Sequence, residues 1–168
     1  NGKKVSWTNV SDAIEYPQIE INAEFSSKYI IELEFDGEKT AIPQNAPVYA
    51  SQSTMDVLFG SAKVLEIKDL QNAVSDTKFT NNNLQARVIG ETGNRTVFVK
   101  LSQGDFSWWT PLCFEINEPI TVQTPLSPNK SGITLGITHN TQQPISTTVT
   151  INPGKNASVS TVLLNAGT

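Results

Sequence analysis

Apolar and polar residues alternate along most of this chain. In residues 18–25, Ile19, Ile21, Ala23 and Phe25 share one phase, and Gln18, Glu20, Asn22 and Glu24 share the other. Side chains of an extended strand point to opposite faces in turn, so this pattern predicts a half-buried strand. Tyr29, Ile31, Leu33 and Phe35 repeat it, and Ser26-Ser27 reads as the hairpin turn between the two runs. Asp36-Gly37 gives a further turn signal. Leu84, Ala86 and Val88 alternate with Gln85, Arg87 and Ile89; after a turn at 90–94, Val97, Val99 and Leu101 alternate with Thr96, Phe98 and Lys100. These runs predict a second hairpin. Leu112, Phe114 and Ile116 then alternate with Cys113 and Glu115.

The last third predicts a three-strand meander. Its faces are Ile133, Leu135 and Ile137, then Thr147, Val149 and Ile151, then Val159, Thr161 and Leu163. A meander of this size cannot bury a face alone in water. It is expected to pack on the preceding unit or to begin another. Residues 61–74 fit a helix or a strand, and the β-branched content favours a strand. Residues 11–15 fit a single helical turn. The stretch 117–130, with Pro119, Pro125 and Pro128, shows almost no alternation and reads as a crossover or linker.

The expected fold is therefore all-β: an antiparallel, immunoglobulin-like β-sandwich built as one unit or two packed ones, with a closed barrel as the alternative. Residues 1–118 form the main sandwich in this reading, 119–130 the crossover, and 131–168 the meander.

Composition agrees with sheets rather than helices. Of the 168 residues only 17% are charged. Thr, Ser, Asn and Gln fill the polar positions, as exposed sheet faces and their turns do. The net charge is −4 and no basic block occurs, which argues against nucleic acid as a partner. No apolar run approaches the roughly 20 residues that a spanning helix needs, so membrane insertion is not expected. The chain opens on Asn1-Gly2-Lys3-Lys4 without a Met, and is expected to be a piece of a longer protein or a processed product.

Catalytic constellations are sparse. His139 is the one histidine, beside Asn140, and reads as a surface turn residue rather than a triad base. Cys113 is the one cysteine; between Leu112 and Phe114 it reads as a buried small hydrophobe. No ligand spacing suits zinc. Calcium would draw on Asp36 and Glu38, or on Asp69 and Asp76, with Asn81-Asn82-Asn83 adding carbonyls, but no motif fixes that spacing. No cofactor or metal is expected. A carboxylate pair for glycoside hydrolysis would fall to Asp105 and Glu115.

The aromatic cluster Phe106-Ser107-Trp108-Trp109-Thr110-Pro111 is the sharpest lead. On an extended strand, adjacent indoles face opposite sides, so one is expected in the core and the other in solvent. An exposed, rigid indole can stack on the apolar face of a sugar ring. Trp7, Trp108 and Trp109 are thus the candidate carbohydrate-binding residues, with Asn94 and Arg95 as hydrogen-bonding partners. The competing reading makes the tryptophans core or interface residues.

Two stretches resemble a known family. Residues 133–164, with Thr138-His139-Asn140-Thr141-Gln142-Gln143-Pro144-Ile145 and then Thr147-Thr148-Val149-Thr150-Ile151-Asn152-Pro153-Gly154, resemble the immunoglobulin-like accessory modules of secreted bacterial glycoside hydrolases. Residues 83–116 are similar to sandwich domains of large polysaccharide-degrading proteins. Together they span under half the chain and carry no catalytic residue. The resemblance implies a non-catalytic module, secreted, periplasmic or at the cell surface, with a polysaccharide or the neighbouring domains of its parent as partner. A structural or adhesive surface module and a glycoside hydrolase fragment are the alternatives.

Overall fold

The computed structural model describes residues 4–34, 47–123 and 136–141, together with the backbone of two strands at 145–149 and 160–164. Every regular element among them is a β-strand. The all-β expectation therefore holds. In chain order the strands are β1 (Trp7–Asn9), β2 (Ile19–Ile21), β3 (Val48–Ala50), β4 (Thr54–Leu58), β5 (Lys63–Lys68), β6 (Val74–Thr80), β7 (Asn83–Val88), β8 (Gly93–Gln103), β9 (Phe106–Asn117), β10 (Ile120–Gln123), β11 (Gly136–His139), β12 (Ile145–Val149) and β13 (Ser160–Leu164).

Two sheets dominate. One runs β3-β9-β8-β5 and the other β4-β7-β6. All their pairings are antiparallel except β3 on β9, which is parallel. Four of these strands bury alternate residues: Met55 and Val57 on β4, Leu84, Ala86 and Val88 on β7, Val97, Val99 and Leu101 on β8, and Leu112, Phe114 and Ile116 on β9. The inward side chains of both sheets join in one hydrophobic cluster. This layering is consistent with a sandwich, and neither sheet closes on itself as a barrel. Most substitutions of these side chains by Ala should cost about 2–5 kcal/mol each.

The longest pairing is the β8–β9 hairpin, in register from Gly93↔Ile116 to Gln103↔Phe106. Its turn is Gly104-Asp105, and Gly104 takes φ +57°, a left-handed conformation that glycine adopts without a Cβ penalty. The β6–β7 turn uses Asn81 at φ 53°, which asparagine tolerates better than most residues.

Several expectations need correction. The runs at 84–89 and 96–101 are not a hairpin: β7 and β8 lie in different sheets, and the chain crosses between them. Alternation fixes which face a residue takes, not which strand lies beside it. The run at 18–25 is a strand only over β2, whose partner is β1 rather than the segment at 29–35. Ser26 does form a local turn, its Oγ donating to the Lys28 carbonyl at 3.0 Å. Among the described residues no strand flanks that turn, and residues 22–34 pair with no strand. The helical turn expected at 11–15 is a turn at 11–12 followed by a bridge from Ile14 to Trp109. Residues 61–74 do contain a strand, β5, with a register shift between Val64 and Glu66.

Past β9, residues 120–123 form β10 inside the stretch read as a crossover, and β10 pairs antiparallel with β11. The remaining pairing is β12 with β13. The Asp36-Gly37 turn and the Asp36 and Glu38 carboxylates lie outside the described residues.

Candidate functional site

Trp108 and Trp109 are the natural starting point. On β9 they point to opposite faces, as their adjacency requires. Trp108 sits across from Leu101 on the inner face, is 2% exposed and belongs to the core cluster. Its indole Nε1 donates to Thr110 Oγ1 at 2.9 Å, which satisfies the one polar atom of a buried ring. Trp109 takes the outer face, yet is only 6% exposed. The expectation of one buried and one solvent-facing indole is therefore corrected: both are buried.

The cover over Trp109 has two parts. Lys68 Nζ stands 4.3 Å from the ring centroid and Lys100 Nζ 5.5 Å from it. Lysine can lay its aliphatic stem on an aromatic face while its ammonium stays wet. Beside the strand, the segment at 13–15 takes the backbone edge: Trp109 N donates to the Ala13 carbonyl and Glu15 N to the Trp109 carbonyl, both at 2.7 Å. Further along β9 the same edge is taken by β3. Asp12, in the adjoining turn, lies 3.7 Å from Lys100 Nζ.

Trp7 is different. It is 39% exposed and stacks on Phe106, with ring centroids 5.1 Å apart and planes 4° from parallel. One ring face is thus packed. Asn9 anchors the same strand, its Nδ2 donating to Ser107 Oγ at 3.1 Å. Trp7 is the tryptophan with a substantially accessible ring.

Asn94 and Arg95 sit at the far end of the hairpin, six residues or about 20 Å of strand from the Leu101–Trp108 pair. Being adjacent on β8, they face opposite sides. Arg95 spends its guanidinium on its own turn: Nη2 donates to the Glu91 carbonyl at 2.8 Å and the Thr92 carbonyl at 3.3 Å, and Nη1 to the Asn94 carbonyl at 3.1 Å. The five residues picked from sequence therefore do not converge on one surface.

The hydrolase alternative fares worse. Asp105 is in the turn before β9 and Glu115 lies ten residues on, so roughly 33 Å of strand separates them. Paired glycosidase carboxylates stand about 5–10 Å apart. This pair cannot act together on one bond within a single chain.

Other single residues also moved. Cys113 is exposed, not buried. Its neighbours Leu112 and Phe114 take the inward phase, so Cys113 is turned outward beside Thr96, with Sγ 3.5 Å from Thr96 Oγ1. His139 lies at the end of β11 opposite Ile120 and is half-buried, rather than in an exposed turn. Asp69 caps the loop before β6, accepting from Gln71 N at 3.0 Å and Val74 N at 2.9 Å. Among the described residues no three His, Cys, Asp or Glu side chains gather as a metal site.

One arrangement was not legible beforehand. Beside β4, β6 and β7 lies an open depression of about 360 Å³ lined by Gln52, Thr54, Asp76, Lys78, Gln85, Ala86 and Arg87. Beside it, Asp56 accepts from Asn83 Nδ2 at 2.7 Å and Gln85 Nε2 at 2.8 Å, a cross-strand clamp. On the inner side, Tyr49 packs edge-on against Phe114 at 5.8 Å. Burial pushes its phenol above the ordinary range, and the Asp56 carboxylate adds to the rise.

Among the described residues no helix is long and apolar enough to cross a membrane. Comparison of the chain with models of protein families, with curated proteins and with solved structures gives no match.

Proposed function

We propose that this chain is a non-catalytic, immunoglobulin-like β-sandwich module of a secreted or surface polysaccharide-processing protein, and that its main work is to space and dock neighbouring domains. The observation that carries this reading is the strand order. Taken as strands A to G, β4-β7-β6 give a B-E-D sheet and β3-β9-β8-β5 an A-G-F-C sheet, and the grouping of B-E-D apart from C-F-G supports an immunoglobulin-like reading. The first strand departs from the constant-type pattern by joining the last one, in parallel, rather than the second.

Burial of Trp108 and Trp109 supports a structural role for the aromatic cluster. Glycan contact then falls to Trp7, whose ring is held by Phe106 and Asn9's strand. Such a shallow site binds weakly, because few new contacts replace the displaced water. Affinity electrophoresis through a panel of polysaccharides tests this. Weak retardation by at least one glycan, abolished by Trp7→Ala, is the expected result. No retardation by any glycan removes the carbohydrate part, and turnover of a glycan by the chain itself removes the non-catalytic part.

A second reading, a structural or adhesive surface module, is favoured by one observation. Phe25, Ile30, Ile31 and Leu33 are exposed within a short stretch. Exposed apolar side chains that gather into one patch mark protein contacts. Capture of a purified neighbouring domain, with no glycan retardation, would favour this reading over the first.

A further inference from the structure

The two main sheets have four edge strands: β3 and β5 in one, β4 and β6 in the other. An open edge presents unpaired N–H and C=O groups and invites another strand, so folded proteins guard their edges with bulges, lysines, prolines or short length. Three of these edges are guarded. β3 is three residues long and follows Pro47. β5 breaks register between Val64 and Glu66 and carries Lys63 and Lys68. β6 breaks register between Ser75 and Lys78, with Asp76 at φ 50°.

β4 lacks a register break, and its one charge, Asp56, is held by Asn83 and Gln85 of β7. It pairs with β7 without a break from Thr54↔Arg87 to Leu58↔Asn83, and holds no lysine and no proline. Its opposite edge pairs with no strand among the described residues. Leu58 on that strand is 60% exposed.

The same chain carries a spare strand. Tyr29, Ile31 and Leu33 keep the two-residue period of a half-buried strand, yet residues 29–33 pair with no strand among the described residues and Ile31 is 64% exposed. In its own copy this segment leaves its apolar phase in water.

We propose that β4 is a strand-acceptor edge and that its occupant is the segment at 29–33 of a second copy of this chain. Added to the edge, the segment gains main-chain hydrogen bonds along β4 and turns Tyr29, Ile31 and Leu33 toward the layer that holds Met55 and Val57. Ile30 then falls on the outer face with Leu58. Each copy owns both halves of the contact, so two copies close a reciprocal, two-fold dimer in which each donates and accepts. The dimer does not depend on glycan binding.

The test is the molar mass by light scattering across the micromolar range, with the full chain in a Cys113→Ser background. Wild type is expected to shift from one chain mass toward two as concentration rises. Thr54→Lys, which guards the acceptor edge at an exposed position, and Ile31→Pro, which cannot donate to the ladder, should both stay at one chain mass. Asp76→Lys, on the already guarded β6 edge, should dimerise as wild type does. A short bis-maleimide should link an Ile30→Cys chain to a separate Leu58→Cys chain. The proposal is overturned if wild type is monomeric at every concentration, or if the dimer survives Thr54→Lys and Ile31→Pro. It is also overturned if Ile30→Cys and Leu58→Cys link only when placed in one chain, which would mean that the segment closes on its own β4.

Discussion

Lys68 holds its Nζ 4.3 Å from the centre of the Trp109 ring, on the face of β9 opposite the one that carries Trp108. Both indoles of the Trp-Trp pair are buried: Trp108 lies in the core, and Lys68 and Lys100 stand over the Trp109 ring. Lysine stems laid against the ring help to bury this outward-facing tryptophan.

Tryptophan emission follows from this arrangement. In variants that keep one indole each, the others being Trp→Phe, Trp108 and Trp109 should emit toward the blue and resist iodide, while Trp7 should emit toward the red and be quenched. Lys68→Ala should make Trp109 more accessible at a cost of about 0.5–1 kcal/mol, the scale of an exposed cation–π contact. Trp108→Ala should cost about 3–5 kcal/mol by chemical denaturation. Equal quenching of all three indoles would contradict the geometry.

Cys113 should be open to thiol reagents in the native state. Because its side chain faces outward, one equivalent of thiol is expected to react with a chromogenic disulfide before any denaturant is added. Cys113→Ser should leave the unfolding midpoint within about 0.5 kcal/mol of wild type. Reaction only after unfolding would return the residue to the interior.

The placement of Cys113 also indicates what was readable in the sequence. The phase of Leu112, Phe114 and Ile116 is enough to turn it outward, and its burial was expected from residue type instead. Faces were legible wherever alternation was strict, as on β7, β8 and β9. Partners were not. Nothing in residues 84–101 says that β7 and β8 join different sheets, because either topology buries the same side chains. The strand expected from the pattern of Tyr29, Ile31 and Leu33 does not form, and residues 29–33 pair with no strand among the described residues. Of the candidate site, the chemistry of each residue was readable but convergence was not: Trp7, Trp108 and Arg95 are placed by long-range pairing that local spacing does not encode.

Gly90 should not accept a side chain. A Cβ there would lie 3.0 Å from Ala73 Cα, 3.1 Å from Ile116 Cδ1 and 3.3 Å from Arg95 Nε. The nearest of these is backbone, which cannot swing aside. Gly90→Ala is expected to cost about 1–3 kcal/mol, as overpacking does. At Gly104 a Cβ meets nothing within 4 Å, so Gly104→Ala carries only the penalty of its left-handed φ, roughly 1 kcal/mol. Equilibrium denaturation of the two variants checks the order.

Tyr49 should contribute to alkaline unfolding. Burial first, and then the Asp56 carboxylate, hold its phenol above the ordinary tyrosine value. The folded state therefore holds the proton more tightly than the unfolded state does. The stability this brings is complete below pH 10, the unfolded value, and is lost as pH rises through the higher folded value. Tyr49→Phe should flatten the fall in stability above that pH, and Asp56→Asn should flatten it in part. An unchanged alkaline slope in Tyr49→Phe would count against the assignment.

The division of seven strands between two sheets is most directly tested by cross-strand nuclear Overhauser contacts between backbone protons. Contacts linking Leu101 with Trp108, Val57 with Leu84, and Tyr49 with Ile116 are the expected result. Contacts that run residues 84–88 against 97–101 as neighbouring strands would contradict it, and the immunoglobulin-like reading would fall with them.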